Sequence, residues 1–198
     1  MMRLLPAAVP RLETARLVLR ALEPRDAEAL FAIFADAEAM RYWSGPPWTD
    51  MAEARAMIER ERDGVATRTS LRWGIATRDR DVVIGTPTLF SFHAQCRRAE
   101  IGYILNREHW GRGVMNEALG AVIDWAFGTL RLHRIEADID PRNARSVRAL
   151  ERLGFVREGL LRERWRVGDE VSDSVMMGLL EREWGRVDRA IPAQPPRP

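Results

Sequence analysis

Residues 106–119 read NREHWGRGVMNEAL, and this stretch decides the fold because it joins a predicted strand to a predicted helix. Before it, apolar residues stand at every second position, namely Ala99, Ile101, Tyr103 and Leu105. After its glycines, apolar residues recur at helical spacing, namely Met115, Leu119, Val122, Ile123, Ala126 and Phe127. The first period predicts a strand with one buried face, and the second predicts an amphipathic helix.

The turn between these two elements has the features of an anion-binding site. Backbone N–H groups at a helix N-terminus have no intrahelical partner, and the helix dipole favours negative charge there. Gly111 and Gly113 permit a positive φ and a close approach of a ligand, and Arg112 adds a charged donor. A pyrophosphate is the natural ligand for such a turn, with an ordinary strand–helix connection as the alternative.

Two common pyrophosphate-binding motifs do not fit this turn. A Walker loop needs Gly-Lys-Ser/Thr, and the chain contains no lysine. A dinucleotide-binding fingerprint needs a third glycine, or alanine, where Asn116 stands, and it usually follows the first strand of a doubly wound domain.

The remaining periodicity predicts an α+β fold with a mixed sheet. The predicted elements are, in order, a strand at 15–21, helices from Pro24 to Ala35 and from Asp50, a β-meander over 71–105, the helix after Gly111, a strand at 135–139, a helix from Asn143 to Gly154, and strands at 155–167 and 170–180. We expect about seven mostly antiparallel strands with one parallel crossover around the Gly111 helix, flanked by about four helices.

Length and composition indicate one globular domain. The chain has 198 residues, of which 46% are hydrophobic and 30% charged, and no apolar run approaches the ~20 residues of a membrane span. We expect a single domain over 11–184 and an N-terminal tail over 1–10 that is not a signal peptide. Residues 185–198 are expected to form a C-terminal tail whose Pro-rich end is disordered.

The charge pattern argues against a nucleic-acid-binding module. The formal net charge is only +2, and all 31 basic residues are arginine, which stays protonated to very high pH. A nucleic-acid binder would show a basic stripe with interleaved aromatic residues. Here arginine alternates with acidic residues, as in residues 59–63, which is typical of a solvated helix face.

Cysteine and histidine usage predicts neither a disulfide nor a metal site. Cys96 is the single cysteine, which fits a reducing compartment, and we expect a bacterial cytoplasm. His93 and Cys96 are the one close pair of metal-ligating residues, whereas a closed zinc site usually needs four.

A second stretch, DPRNARSVRALERLGF at residues 140–155, contains residues typical of the two ends of a helix. Asn143 is placed as a helix N-cap, Ser146 at the third helical position, and Gly154 as a C-cap. Capping alone explains these residues, and it does not prevent a further function for them.

Taken together, HWGRGVMNEAL and NARSVRALERLGF resemble the GNAT N-acetyltransferases. The AEIGY segment at 99–103 and the TARLVLR segment at 14–20 resemble, more narrowly, the ribosomal-protein N-acetyltransferase (RimJ/RimL-like) branch. The resemblance covers residues 11–183 and implies a GNAT-like fold with acetyl-CoA as cosubstrate and no metal. It also implies transfer of an acetyl group to a primary amine, by direct attack in a ternary complex.

The resemblance implies a set of residues that bind the cosubstrate. Turn amides would hold the CoA pyrophosphate, the splayed strand end would bond the pantetheine arm, and the second stretch would face the thiol. The residues implied are Ile104, Leu105, Asn106, Trp110, Gly111, Arg112, Gly113, Val114, Met115, Asn116, Asn143 and Ser146. Glu108 stands where many GNAT loops have Gln or Arg, and we expect it to point into solvent.

Three residues are predicted to carry the chemistry. Glu100 lies on the sheet face opposite Ile101 and Tyr103, and glutamate on this strand often serves as the base in GNAT enzymes, directly or through water. An ion pair with neighbouring Arg97 or Arg98 is the alternative. Ser146 would assist the leaving thiolate, and Asn143 would orient the thiol arm.

The acceptor side is predicted from the loop between the first two helices. Tyr42, Trp43 and Trp48 in this loop would form, with Glu100, an aromatic slot for an ammonium or a peptide N-terminus. A packed cluster under the loop is the alternative. The sequence leaves open whether a protein or a small amine is acetylated, and whether the chain is instead a CoA-binding sensor without catalysis. A homodimer is compatible with the resemblance, because related enzymes often pair.

Overall fold

The computed structural model describes residues 5–67 and 69–185, which form a mixed sheet with helices packed on both faces. The strands are β1 Leu12–Glu13, β2 Leu17–Arg20, β3 Ser70–Arg72, β4 Gly74–Thr77, β5 Val83–His93, β6 Arg98–Leu105, β7 Arg134–Ile139, β8 Val156–Val167 and β9 Glu170–Leu180. The helices are α1 Ala27–Phe34, α2 Ala37–Met40, α3 Met51–Thr67, α4 Val114–Gly128, α5 Ala144–Arg152 and α6 Glu181–Trp184.

The sheet is mixed and mostly antiparallel, with the one parallel crossover that was predicted. Its order is β1-β2-β4-β5-β6-β7-β9-β8, with β3 paired to β5. In the described part of the chain β6 and β7 are the one parallel pair, and α4 connects them. The sheet has nine strands because β1 adds a short edge and because the predicted strand through Trp73 breaks there into β3 and β4.

Two hydrophobic clusters hold the helices to the sheet. The larger cluster contains the apolar stripe of α4, all of whose predicted core residues are buried, together with residues of α5. The smaller cluster packs α1, α2 and α3 against Val83 and Ile104. The helical period therefore predicted the buried face of α4 correctly. The two clusters lie on opposite faces of the sheet, so α4 packs on one face and α1 on the other.

The chain ends are described only in part. Leu5 lies in the larger cluster, and Trp73 Nε1 donates a hydrogen bond to the Pro10 carbonyl at 2.7 Å. The described end of the predicted 1–10 tail is thus packed against the sheet. Residues 1–4 and 186–198, which include nearly all of the predicted 185–198 tail, lie outside the described residues.

Candidate active site

The parallel strands β6 and β7 separate soon after they begin to pair. Their ladder runs from Arg98↔Arg134 to Glu100↔Glu136. Beyond that pair, residues 101–105 are paired with β5 and residues 137–139 with β9. The two strand edges that face each other across the gap therefore have free backbone groups, which suits an extended ligand arm with amide groups of its own.

The turn before α4 has the backbone conformation that its glycines allow. Gly111 and Gly113 both have φ of 73°, in the left-handed region that glycine tolerates best. Gly113 is the N-cap of the 15-residue helix α4, whose first-turn amides have no helical partner. A Cβ atom built on Gly111 would meet nothing within 4 Å, so the turn faces open space. This geometry fits a pyrophosphate group.

Two residues of the opening segment hold this turn in place. Arg16 Nε contacts Glu117 Oε2 at 2.6 Å, and Arg16 Nη1 donates to the Arg112 carbonyl at 3.1 Å. Thr14 Oγ1 donates to Glu117 Oε1 at 2.6 Å. Burial acts to raise the pKa of the Glu117 carboxyl, but the hydrogen bonds from Thr14 and Arg16 outweigh it and leave that pKa below its usual range. Glu117 is therefore ionised at neutral pH and ties β2 to the turn.

Several side chains among the predicted cosubstrate residues support the backbone and do not face a ligand. Trp110 Nε1 donates to the Leu105 carbonyl at 2.9 Å, and Asn116 Nδ2 donates to the Ala149 carbonyl at 3.0 Å. Asn106 Oδ1 accepts from the Glu108 N–H at 3.0 Å. The side chains of the remaining apolar members are buried, namely Ile104, Leu105, Val114 and Met115. Glu108 is exposed, as predicted.

A groove of about 840 Å³ opens where the two strands separate. It is lined from one side by Glu100–Tyr103 of β6 and from the other by residues 138–140 at the end of β7. The groove brings together five of the predicted site residues, namely Tyr42, Trp43, Glu100, Asn143 and Ser146. The Gly111–Gly113 turn does not line it.

Glu100 is an unpaired carboxylate in the wall of this groove. Among the described residues it has no hydrogen bond or ion pair. Arg98 instead pairs with Glu136, Nη1 to Oε2 at 2.5 Å, and Arg134 contacts the same carboxylate at 2.8 Å. The alternative of an ion pair between Glu100 and Arg97 or Arg98 is therefore not formed.

The start of α5 borders the same groove. Asn143 Oδ1 accepts from the Ser146 N–H at 3.1 Å, which is the predicted helix cap. The Ser146 hydroxyl has no hydrogen-bond partner in the described part of the chain. Tyr103 Oη donates to the Ser146 carbonyl at 3.2 Å, and burial raises the pKa of Tyr103, which keeps it a donor. This contact escaped the sequence analysis, where Tyr103 was only a core-facing residue of its strand.

The aromatic loop divides between the groove and the core. Trp48 stacks on Phe34 with ring centroids 4.3 Å apart, and it does not line the groove. Trp43 lines the groove and meets the same Phe34 edge-on at 5.6 Å. Tyr42 has the guanidinium of Arg142 at 5.7 Å from its ring centroid. Trp43 and Trp48 therefore both fit the packed-cluster alternative, although Trp43, like Tyr42, also lines the groove.

Residues 5–67 and 69–185 contain neither a candidate metal site nor a helix that could span a membrane. No group of three or more histidine, cysteine, aspartate or glutamate side chains there could hold a metal ion. His93 Nδ1 accepts a hydrogen bond from the Cys96 N–H at 3.2 Å. None of the described helices combines the length and the apolar character that crossing a membrane requires.

The chain is similar to known acetyltransferases in both sequence and structure. Residues 16–156 match the acetyltransferase (GNAT) domain. N-acetyltransferase p20 of Bacillus licheniformis is 39% identical over 173 residues, which cover 87% of this chain and 97% of the relative. The [ribosomal protein uS5]-alanine N-acetyltransferase of Escherichia coli is 30% identical over 185 residues, which cover 88% of this chain and 92% of that relative. One similar solved structure is the crystal structure of spermidine N-acetyltransferase from Vibrio cholerae in complex with CoA and spermine. It superposes with a TM-score of 0.76 at 25% identity, and the match covers 86% of this chain and 99% of that chain.

Proposed function

Because the chain belongs to the GNAT acetyltransferase family, which uses acetyl-CoA, we propose that it acetylates a primary amine by direct attack in a ternary complex. The observation that carries this mechanism is the unpaired carboxylate of Glu100 at the point where β6 and β7 separate. Asn143 and Ser146 line the same groove. A free carboxylate, a polar side chain and the gap between two strands therefore meet in one groove.

Acetyl-CoA is bound, in this proposal, on the α4 side of the gap. Its pyrophosphate would accept hydrogen bonds from the amides of residues 110–116 at the start of α4. Its pantetheine arm would lie along β6 at Ile104, Leu105 and Asn106, beyond the point where β6 and β7 stop pairing. The thioester would then lie at the gap, near Ser146, where the groove meets the separated strands.

The acceptor amine enters from the groove side. Glu100 removes a proton from the ammonium, directly or through water, so that a neutral nitrogen attacks the thioester carbonyl carbon. The carbon–sulfur bond breaks, the acetyl group stays on the nitrogen, the nitrogen releases its second proton to solvent, and the thiolate leaves. Ser146 donates a hydrogen bond to the thiolate, which takes its proton from solvent. Asn143 holds the start of α5, and with it Ser146, in position.

Replacing Ser146 by alanine is expected to lower kcat by roughly tenfold, less than a change at Glu100, because a thiol with a pKa near 8.5 already leaves readily. The Ser146 N–H and not its hydroxyl completes the helix cap, so the melting temperature should not change. Asn143→Ala is the matched control, since it removes the cap acceptor and should cost about 1 kcal/mol of stability. Equal destabilisation by both changes would mean that capping explains Ser146 entirely.

The acceptor is either a protein N-terminal α-amine or a small amine. Relatives named for each kind are known, one acting on a ribosomal-protein alanine and one on spermidine. Tyr42 and Trp43 support an amine acceptor, because aromatic rings bind ammonium groups. Assays with N-terminal peptides and small amines side by side separate the two classes. A location in the bacterial cytoplasm is part of the same proposal and agrees with the exposed free thiol of Cys96.

We also expect a homodimer, formed through the exposed edge strand β8. β8 is an edge strand of twelve residues, and its apolar side chains Val156 and Leu160 are 55% and 56% exposed. Such an exposed apolar edge favours pairing with another strand. Sedimentation velocity should give twice the chain mass, and Leu160→Glu should shift the protein to monomer. A monomeric wild-type protein at micromolar concentration would contradict this assembly.

A further inference from the structure

Asp138 lies in the wall of the groove, and one of its two carboxylate oxygens has no partner. The side chain is only 10% exposed. Its Oδ2 atom accepts from Arg164 Nε at 3.0 Å and from Trp165 Nε1 at 3.2 Å. Its Oδ1 atom is buried without a hydrogen-bond partner among the described residues. A buried carboxylate oxygen in this state is costly, so the free protein leaves Asp138 incompletely satisfied.

Such atoms are concentrated at the groove. The described residues contain three buried side-chain oxygens without a partner, namely Thr88 Oγ1, Asp138 Oδ1 and Ser174 Oγ. Thr88 and Asp138 both line the groove. Buried polar groups in native proteins are nearly always hydrogen-bonded, so unpaired acceptors at a binding groove indicate donors supplied by a ligand.

Asp138 and Glu100 differ from the other carboxylates of the groove. Glu61 pairs with Arg72 at 2.8 Å, while Asp140 and Glu170 both pair with Arg142, at 2.5 and 2.6 Å. Asp138 is also paired with an arginine, but its Oδ1 is buried without a partner, and Glu100 has no partner among the described residues.

The two residues face the groove from opposite sides of the gap. Glu100 stands beside Glu136, and Asp138 follows two positions further along β7 on the same face of the sheet. At the usual strand rise this step is about 6.6 Å along β7, and with a spacing of about 4.8 Å between strands it puts the Cα atoms of Glu100 and Asp138 at least about 8 Å apart. One acceptor molecule with two nitrogen atoms can therefore reach both carboxylates.

The cation that covers Asp138 in the free protein lies at the edge of the sheet. Arg164 belongs to edge strand β8, its side chain is 46% exposed, and its ladder with β9 shifts register between Leu161 and Trp165. Because a buried carboxylate without a cation is costly, Arg164 would leave Asp138 only when another cation takes its place. Its present contact also shows that the Asp138 position accepts a cationic donor.

We propose that Asp138 binds a second cationic group of the acceptor, and that Arg164 covers this carboxylate only until the acceptor arrives. The inference rests on the proposed acetylation of an amine near Glu100. It adds the class of acceptor: a molecule with two amino groups, one neutral for attack and one protonated and bound to Asp138.

A matched pair of acceptors tests this proposal, namely cadaverine and pentylamine, which differ by one terminal ammonium. The wild-type enzyme should prefer cadaverine by at least about tenfold in kcat/KM, because a hydrogen bond to a buried charge contributes at this level. Asp138→Asn keeps the shape but replaces an acceptor by a donor, and it should abolish the preference. Arg164→Gln removes the competing cation and should increase the preference.

The opposite signs of the two variants separate this proposal from a purely structural role. If Asp138 serves only to anchor Arg164 and Trp165, both variants should lower the rates with both amines alike, which would overturn the proposal. Calorimetry with CoA present tests the same site without turnover. If cadaverine binds more tightly than pentylamine and Asp138→Asn removes this difference, the binding site is supported. A failure to acetylate either amine would then count only against the proposed function. Equal binding of the two amines would overturn the site.

Discussion

Replacing Glu100 by glutamine is expected to lower kcat by about 10²–10⁴-fold, the range that a positioned general base contributes. Glutamine preserves the size of the side chain but cannot take a proton from the acceptor ammonium. The Kd for acetyl-CoA should not change, because Glu100 lines the acceptor groove and not the turn before α4. Steady-state kinetics at saturating amine, together with calorimetry on acetyl-CoA, measure both quantities.

Glu136→Gln is the matched control for this experiment. Glu136 lies beside Glu100 on the neighbouring strand, but Arg98 and Arg134 neutralise its carboxylate. Its replacement changes the local charge equally and should cost far less kcat than the change at Glu100. A wild-type kcat in the Glu100 variant would show that Glu100 is not the general base. An equal loss in both variants would show that general electrostatics and not proton transfer is involved.

Replacing Gly111 by glutamate is expected to weaken acetyl-CoA binding by at least about 100-fold, since it sets a negative charge close to the negatively charged pyrophosphate. The change also introduces a side chain at a φ of 73°, where glycine is strongly preferred. Open space around the position leaves room for the side chain, so the fold should survive. Calorimetry with acetyl-CoA and thermal melting measure the two effects.

Gly168→Glu controls for the backbone strain and the added charge. Gly168 has a φ of 59° and open space around it, but it lies in the turn between β8 and β9. We expect a similar loss of stability in the two variants and a loss of acetyl-CoA affinity only at Gly111. Unchanged affinity in the Gly111 variant would contradict the placement of the pyrophosphate.

The sequence predicted those features that depend on local pattern. The period of Met115, Leu119 and Val122 identified the buried face of α4, and the two glycines were recognised as positions that permit the positive φ angles found there. The single parallel crossover through α4 followed from the same periods together with the rules of sheet connection. Such features need only neighbouring residues and the geometry of one element.

Other features depend on contacts between distant segments, which periodicity does not reveal. Arg16 and Glu117 are 101 residues apart in the chain, and nothing in either segment indicates their pairing. Trp48 and Trp43 share one loop and both pack on Phe34, yet only Trp43 lines the groove. Asp138 likewise looks like an ordinary polar position of a strand until the separation of β6 and β7 is known.

The most direct test of the account follows product formation by mass spectrometry, with acetyl-CoA and a panel of N-terminal peptides and small amines. The account predicts an acetylated primary amine and an equal amount of free CoA for the wild-type enzyme, and a much slower reaction for Glu100→Gln. Tight binding of acetyl-CoA without acetylation of any amine would contradict it, and would indicate a protein that senses CoA without transferring the acetyl group.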